Sequence, residues 1–210
     1  MRPTLELVRA LYGTPFVHRN AVTRGEFFHL LEAWTSSGDG DERYPVLILS
    51  YHGLQGSILL QEQSGQFDWD DEDELDAFAD SIVTLDEIGE VLAGKCKNRV
   101  VHFSSCSSLD VAHDEINEFI DMTGASAVSG YMKDLPWSHS LALDLLFIEG
   151  IQTATNINLT PKKMSEINDD LRWWTLQNLS DLPEGDGHLP TAEMMKTLGF
   201  NLRVRSVPAG

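Results

Sequence analysis

The chain has 210 residues, of which 42% are hydrophobic and 23% are charged. These proportions predict one soluble globular domain over residues 1–210, with enough apolar side chains for a sizeable core, and they exclude an intrinsically disordered chain. The formal net charge of −18 argues against a nucleic-acid partner, because an acidic surface repels phosphates and the basic residues form no obvious patch.

Neither a membrane protein nor a secreted one is expected. The longest apolar stretches, such as residues 46–49, are far shorter than the roughly 20 residues that a bilayer-spanning helix needs. Residues 1–6 lack the apolar block of a signal peptide. Two cysteines, Cys96 and Cys106, are too few for a disulfide framework, so we expect free thiols in a reducing cytoplasm.

The segment before residue 36 predicts one strand and one helix. Residues 16–18 are apolar enough for a first short strand. Thr23 followed by Glu26 matches a capping box at the start of a helix. Apolar side chains then recur at helical spacing, which predicts a helix over residues 24–35.

A continuous apolar run follows a polar loop. Residues 44–51 form this run, which is typical of a strand buried on both faces of a parallel sheet. Residues 56–60 predict a second short strand, which either forms a hairpin with the first or lies beside it.

An acidic segment comes next. Residues 62–80 contain nine Asp and Glu residues, which account for half of the net charge. An EF-hand loop that began at Asp68 would need Gly at its sixth position and Glu at its twelfth, where the chain has Asp73 and Ala79. We therefore expect a mobile, solvent-exposed loop, either a solvated surface or a segment that attracts a basic partner.

The rest of the chain alternates strands and helices. Buried-type strands are predicted over residues 99–104 and 125–131, and an edge strand over residues 201–207. Helices are predicted from a cap at Thr84 or Asp86 to Gly94, from a cap at Ser107 or Ser108 to Met122, and over 137–151, 161–179 and 191–198. This alternation predicts an α/β fold, specifically a three-layer α/β/α sandwich with a mostly parallel sheet.

Two of the predicted strands lead into residues with catalytic chemistry. The strand over 44–51 ends in His52 and Gly53, and the strand over 99–104 leads to Cys106, 54 positions after His52. Because the carboxyl ends of parallel strands meet at one edge of a sheet, we expect His52 and Cys106 to face each other there. A histidine can take the thiol proton and later return it to a leaving amine.

The backbone at these positions completes the predicted chemistry. The N–H groups of Gly53 and Cys106 are candidates for an oxyanion hole, because Gly53 has no side chain to obstruct a substrate. A helix that begins directly after Cys106 would also favour the thiolate. Cys96 lies between two lysines and is interpreted as incidental to the catalytic chemistry.

Other candidate sites have little support. His102 is predicted to pack in or near the core. We find no His/Cys set with metal-ligand spacing, no Walker loop and no G-x-G-x-x-G motif, so we expect no metal and no cofactor.

Residues 44–152 resemble the caspase-like (clan CD) cysteine peptidases, and they are most similar to the bacterial CHAT-type branch. The resemblance rests on the strand ending in His52-Gly53, the strand leading to Cys106, the strand over 125–131 and the helix over 137–151. It implies a caspase-like sheet and a cytoplasmic thiol protease, a hydrolase with a His–Cys dyad and no metal or cofactor. It further implies a protein or peptide substrate and activation by a regulatory protein partner or signal, in a role such as bacterial antiviral defence.

The resemblance also implies where a substrate binds. In this family the strand after the catalytic cysteine lines the primary specificity pocket, which maps to Ser129, Gly130 and Tyr131, with Asp134 and Trp137 just beyond. Asp134 would either select a basic side chain or cap the next helix. Trp137 would either form a pocket wall or anchor the core.

The chain departs from the best-known members of the clan. It has Ser104-Ser105-Cys106 where caspases have Gln-Ala-Cys, and Ser104 stands where metacaspases often have Asp. The resemblance therefore implies neither a pocket specific for Asp nor a pocket specific for Arg. Two alternatives stay open: a catalytically silent binding module on the same fold, and a thiol-dependent hydrolase of small amides or esters.

Overall fold

A computed structural model describes residues 2–36, 44–60, 78–153, 159–168 and 198–206. Its elements, in chain order, are α1 (Arg2–Tyr12), α2 (Arg24–Ser36), β1 (Val46–Leu49), β2 (His52–Leu54), β3 (Ser57–Leu59), a 3₁₀ turn (Ala79–Ser81), β4 (Ile82–Thr84), α3 (Leu85–Leu92), β5 (Val100–Phe103), α4 (His113–Thr123), β6 (Ala127–Tyr131), α5 (Trp137–Thr153) and β7 (Phe200–Val204). Residues 161–168 are also helical.

The main sheet is mostly parallel, as the sequence predicts. Its strand order is β1-β5-β6-β7, in which β1, β5 and β6 are parallel and β7 pairs antiparallel to β6 at the edge. Every residue of β5 and β6 is buried. The protein is therefore a mixed α/β protein whose central strands are covered on both faces.

Helices cover this sheet in two groups. Val101 and Phe103 of β5 belong to a core cluster with apolar side chains of α2, α3 and α4. Val100 belongs to a second cluster with Phe147 and Ile151 of α5 and with residues of the 161–168 helix. Because successive side chains of a strand point to opposite faces, the two clusters lie on opposite sides of the sheet.

A second, three-stranded sheet departs from the sequence-based prediction. Residues 56–60 do contribute a hairpin strand, β3, but its partner is β2, and β4 completes this antiparallel sheet. The predicted strand over 44–51 ends at Leu49, where the Ser105 hydroxyl donates to the Leu49 carbonyl at 3.2 Å and accepts from the Tyr51 N–H at 3.1 Å. This side chain replaces strand pairing at the point where the chain leaves the main sheet.

Two predictions about the local structure are wrong. Residues 16–18 form no strand; Val17 is 54% exposed, and the preceding Pro15 has no N–H for a ladder. The helix predicted from Ser107 or Ser108 begins only at His113, after Ala112, whose N–H donates to the Glu115 carboxylate at 3.1 Å. The N-terminal helix α1 was not predicted.

The other predicted elements are confirmed where they are described. Helices α2, α3 and α5, the central strands and the edge strand β7 lie within two or three residues of their predicted bounds. Most of the acidic segment, residues 61–77, lies outside the described residues, as do residues 169–179 and 191–197 of the last two predicted helices. None of the described helices is both long and apolar enough to cross a bilayer.

Thr84 is the residue that caps α3. Its hydroxyl accepts from the Glu87 N–H at 3.3 Å, and the Glu87 carboxylate accepts from the Thr84 N–H at 3.0 Å, which completes a capping box. Asp86, the alternative, lies in the first turn of the helix.

We expect Thr84→Ala to lower the free energy of unfolding by about 1 kcal/mol, because it removes one partner of this reciprocal pair. Asp86→Ala is the matched control, since it removes an exposed first-turn side chain that makes no cap, and its effect should be smaller. Chemical denaturation of both variants measures the difference. A larger loss of unfolding free energy in Asp86→Ala than in Thr84→Ala would contradict the assignment of Thr84 as the cap.

Candidate active site

The backbones of Gly53 and Cys106 are in direct contact. A methyl group on Gly53 would lie 1.7 Å from the Cys106 carbonyl oxygen and 2.8 Å from its amide nitrogen. Both distances are far below van der Waals contact, so only glycine fits at position 53. The contact joins the β2–β3 hairpin to the turn that follows β5.

The strand register explains how His52 and Cys106 come to lie together. Strands β1 and β5 are parallel neighbours with Leu49 opposite Phe103, and His52 and Cys106 each lie three residues beyond these positions. Both residues line the same cleft at the carboxyl end of the sheet. The structure thus brings the two predicted residues to one edge, although His52 belongs to β2 rather than to the end of β1.

The cleft is large and open. It has a volume of about 1560 Å³ and is lined by residues of α1, α2, β1 and α5 and by residues 13–22. A site for a single small molecule typically measures about 300–1,000 Å³. The volume of the cleft exceeds this range.

The Cys106 thiol is partly buried and bound to a neighbouring loop. Its Sγ accepts from the Leu135 N–H at 3.4 Å, and the thiol donates to the Leu135 carbonyl oxygen at 3.6 Å. Helix α4 begins seven residues after Cys106, so the predicted effect of a helix dipole on this thiol is absent. The interpretation of Cys96 as incidental agrees with its full burial, which raises the pKa of that thiol to about 12.

A buried polar network next to Cys106 was not predicted. Asp144 of α5 is 1% exposed, and its carboxylate accepts from His102 Nε2 at 2.8 Å and from the Tyr131 hydroxyl at 2.5 Å on one oxygen. The other oxygen accepts from the Ser104 hydroxyl at 2.6 Å, and His102 Nδ1 lies 2.8 Å from Ser129 Oγ. The network joins β5, β6 and α5. Its member nearest to Cys106 in the sequence is Ser104, two residues before it.

The charge of Asp144 decides the proton positions in this network. Burial by itself would raise the pKa of Asp144, but the hydrogen bonds from His102, Ser104 and Tyr131 outweigh it and lower the pKa. Since an ionised carboxylate only accepts, His102 Nε2 carries a proton, and Nδ1 meets a Ser129 hydroxyl that can accept or donate. Burial, reinforced by the Asp144 carboxylate, raises the pKa of Tyr131, which keeps the phenol neutral.

A sequence signal for the network does exist. His102 and Ser104 alternate along a strand that is otherwise apolar, Ser129 and Tyr131 alternate in the same way, and Asp144 interrupts an apolar helix between Leu143 and Leu145. Period-two polar residues in buried strands indicate that they share a polar partner, because unpaired polar groups are costly in a core.

The predicted substrate-binding residues divide into two groups. Ser129, Gly130 and Tyr131 are buried within the sheet and do not line the cleft. Gly130 has no space for a side chain, since a methyl group there would lie 2.8 Å from the Phe103 carbonyl oxygen. Asp134 and Trp137 do line the cleft.

The structure bears on the alternatives for Asp134 and Trp137. The Asp134 carboxylate accepts from the Ser107 hydroxyl at 2.6 Å, and the His139 and Ser140 amides of α5 donate to the Pro136 carbonyl oxygen, so the observed contact of Asp134 is with the Cys106 turn. Selection of a basic side chain by Asp134 stays a prediction. Trp137 is 70% exposed and is therefore not a core anchor.

No metal centre accompanies these residues in the described ranges. Within them, no three His, Cys, Asp or Glu side chains are close enough together to hold an ion. The cleft instead combines a cysteine, a histidine and two closely apposed backbones.

Fold and site together define an α/β protein with a cysteine and a histidine at the carboxyl edge of a parallel sheet. The chain belongs to the family of unknown function DUF6642, whose model matches residues 1–171. A search of curated proteins finds no match to the chain.

We expect Gly53→Ala to lower the free energy of unfolding by about 1–3 kcal/mol, because the new methyl group displaces main-chain atoms of Cys106 rather than a movable side chain. Gly25→Ala is the control, because nothing lies within 4 Å of a methyl group at that helical position. Thermal and chemical denaturation of the two variants test the contact. Equal stability of both variants would show that the hairpin and the turn are not in direct contact.

We expect Asp144→Asn to lower the free energy of unfolding by about 1–3 kcal/mol at neutral pH, because its NH₂ group faces donors that need an acceptor. The pKa of Asp144 is lowered in the folded state, so its ionisation stabilises the fold above the usual carboxyl range, and this contribution is lost as the pH falls through the folded pKa.

The difference in stability between wild type and Asp144→Asn should therefore stay constant above about pH 5 and shrink as the pH falls below the usual aspartate pKa of about 3.9. Asp121→Asn, at a side chain that is 74% exposed, is the control and should follow the wild-type profile. A difference that stays constant with pH would rule out a stabilising role for the Asp144 charge.

Proposed function

We propose that the protein is a caspase-like cysteine endopeptidase with Cys106 as the nucleophile and His52 as the general base and acid. The contact between the Gly53 and Cys106 backbones carries this proposal, because it holds the residue after His52 against the candidate nucleophile. The parallel register of β1 and β5 supports it, since it places both residues beyond the same edge of the sheet.

The proposed reaction follows from these positions. His52 takes the thiol proton, and the Cys106 sulfur attacks the scissile carbonyl carbon to form a tetrahedral intermediate. The N–H groups of Gly53 and Cys106 bind its oxyanion. His52 then returns the proton to the leaving amine, which leaves a thioester on Cys106. A water molecule, deprotonated by His52, hydrolyses the thioester and restores the thiol.

A protein or peptide substrate fits the cleft better than a small ester does. The cleft exceeds the size of a typical small-molecule site, and one of its walls is β1, the edge strand of the sheet. Extended peptides commonly bind beside such edges, where main-chain groups supply hydrogen bonds. A thiol-dependent hydrolase of small amides or esters is correspondingly less well supported.

The wider context belongs to the same proposal. The two core clusters on opposite faces of the sheet support a three-layer α/β/α sandwich of the caspase-like type. A cytoplasmic location, activation by a regulatory protein or signal, and a role in bacterial antiviral defence follow from the resemblance to the CHAT-type branch. No metal or cofactor enters the proposed reaction.

A catalytically silent binding module is the second candidate. The observation that favours it is the engagement of the Cys106 thiol by the Leu135 main chain, because this leaves the sulfur in a resting geometry. The two candidates differ in whether Cys106 reacts with a peptide electrophile and turns over peptides.

We expect an electrophilic peptide probe to label Cys106 and not Cys96, because Cys96 is fully buried and burial raises the pKa of its thiol. We also expect a peptide library to be cleaved by the full chain, Cys106→Ala to abolish cleavage, and His52→Ala to reduce kcat/KM by roughly 100-fold or more. Mass spectrometry of the labelled protein and of the peptide products measures both effects.

Cys96→Ser is the matched control, since it removes the other thiol and should leave cleavage and labelling of Cys106 unchanged. Labelling of Cys96 in the folded protein would contradict the assignment of Cys106 as the nucleophile. Binding of peptides without Cys106-dependent turnover would support the silent module instead.

A further inference from the structure

Three consecutive residues between β6 and α5 hold the turn that carries Cys106. Leu135 binds the sulfur through both of its main-chain groups, as described above. The Lys133 carbonyl oxygen accepts from the Ser107 N–H at 3.3 Å, and the Asp134 carboxylate accepts from the Ser107 hydroxyl at 2.6 Å. Cys106 and its neighbour are thus bound side by side to one short loop.

The backbone of Ser107 shows why these contacts matter. Its φ angle is +52°, in the left-handed region that is unfavourable for most side chains other than those of Asn and Asp. Such a conformation persists where surrounding contacts enforce it. The hydrogen bonds that Ser107 donates to the Lys133 carbonyl oxygen and the Asp134 carboxylate are two such contacts, at the residue directly after Cys106.

The contact with Leu135 opposes the chemistry proposed for Cys106. While the thiol donates to the Leu135 carbonyl oxygen, its proton is directed away from the base that must remove it. Transfer of the proton to His52 therefore requires the hydrogen bond from the thiol to the Leu135 carbonyl oxygen to break.

We propose that residues 133–135 form a latch that holds Cys106 in a resting state, and that the bond between Ser107 and Asp134 is its releasable part. This inference rests on the proposed function, because a resting state has meaning only if Cys106 reacts. The bond is releasable because Asp134 is exposed and forms no ion pair within the described residues. A cationic side chain of a partner or substrate can therefore compete for its carboxylate.

The test measures the rate at which iodoacetamide, a small neutral electrophile, alkylates Cys106 in the full chain, with the site read by mass spectrometry. Asp134→Ala and Ser107→Ala each remove the bond, and each should accelerate alkylation roughly three- to tenfold. The double variant should be no faster than either single variant, because both substitutions remove the same interaction. Asp134→Asn should accelerate alkylation less, since its amide oxygen still accepts.

Asp110→Ala is the matched control for charge. It removes an exposed aspartate that lies four residues from Cys106 and outside the latch, and the alkylation rate should stay at the wild-type value. Cys96 serves as an internal reporter of unfolding, because it is alkylated only when the core opens. If Ser107→Ala exposes Cys96, Ser107→Gly replaces it, since glycine suits the positive φ angle and also lacks the hydroxyl.

Unchanged or slower alkylation of Cys106 in the folded single variants would overturn the latch. Peptide cleavage by the same proteins separates this result from a failure of the proposed function. Faster alkylation without any Cys106-dependent cleavage would retain the latch and reject the peptidase. Cleavage that depends on Cys106 and His52, with unchanged alkylation rates, would retain the peptidase and reject the latch.

Discussion

The close approach of Gly53 to Cys106 is the constraint on which the rest of the site depends. A hairpin from a small antiparallel sheet reaches the turn after a central parallel strand, and the two main chains meet without an intervening side chain. Any larger residue at position 53 would separate the hairpin from the turn.

The buried network around Asp144 lies on the other side of the site. It connects Ser104, two residues before Cys106, to β6 and to α5 through one carboxylate. A carboxylate this deeply buried is tolerated because each of its oxygens accepts from a protein donor. The turn with Cys106 thus lies between a buried polar network on one side and the loop of residues 133–135 on the other.

Several features of the site could be predicted because they depend on short-range patterns. The buried strands show as apolar runs, and the order of parallel strands places their carboxyl ends together, so the location of His52 and Cys106 at one cleft follows from position alone. The burial of Ser129 and Tyr131, by contrast, depends on the side chains of α5 that cover this face of β6. The sequence shows that these residues alternate, but it does not show which of them a distant helix covers.

What the sequence by itself determined was the class of fold, the positions of most helices and strands, and the presence of one thiol and one imidazole beyond adjacent strands. These follow from periodicity and from capping residues such as Thr84, which act within a few positions of the chain. Only the tertiary structure decided that His52 belongs to a separate sheet, that Asp144 gathers three polar partners, and that Leu135 engages the Cys106 thiol. Each of these contacts joins residues that are far apart in the chain, and its energy depends on burial and distance, which local patterns do not contain.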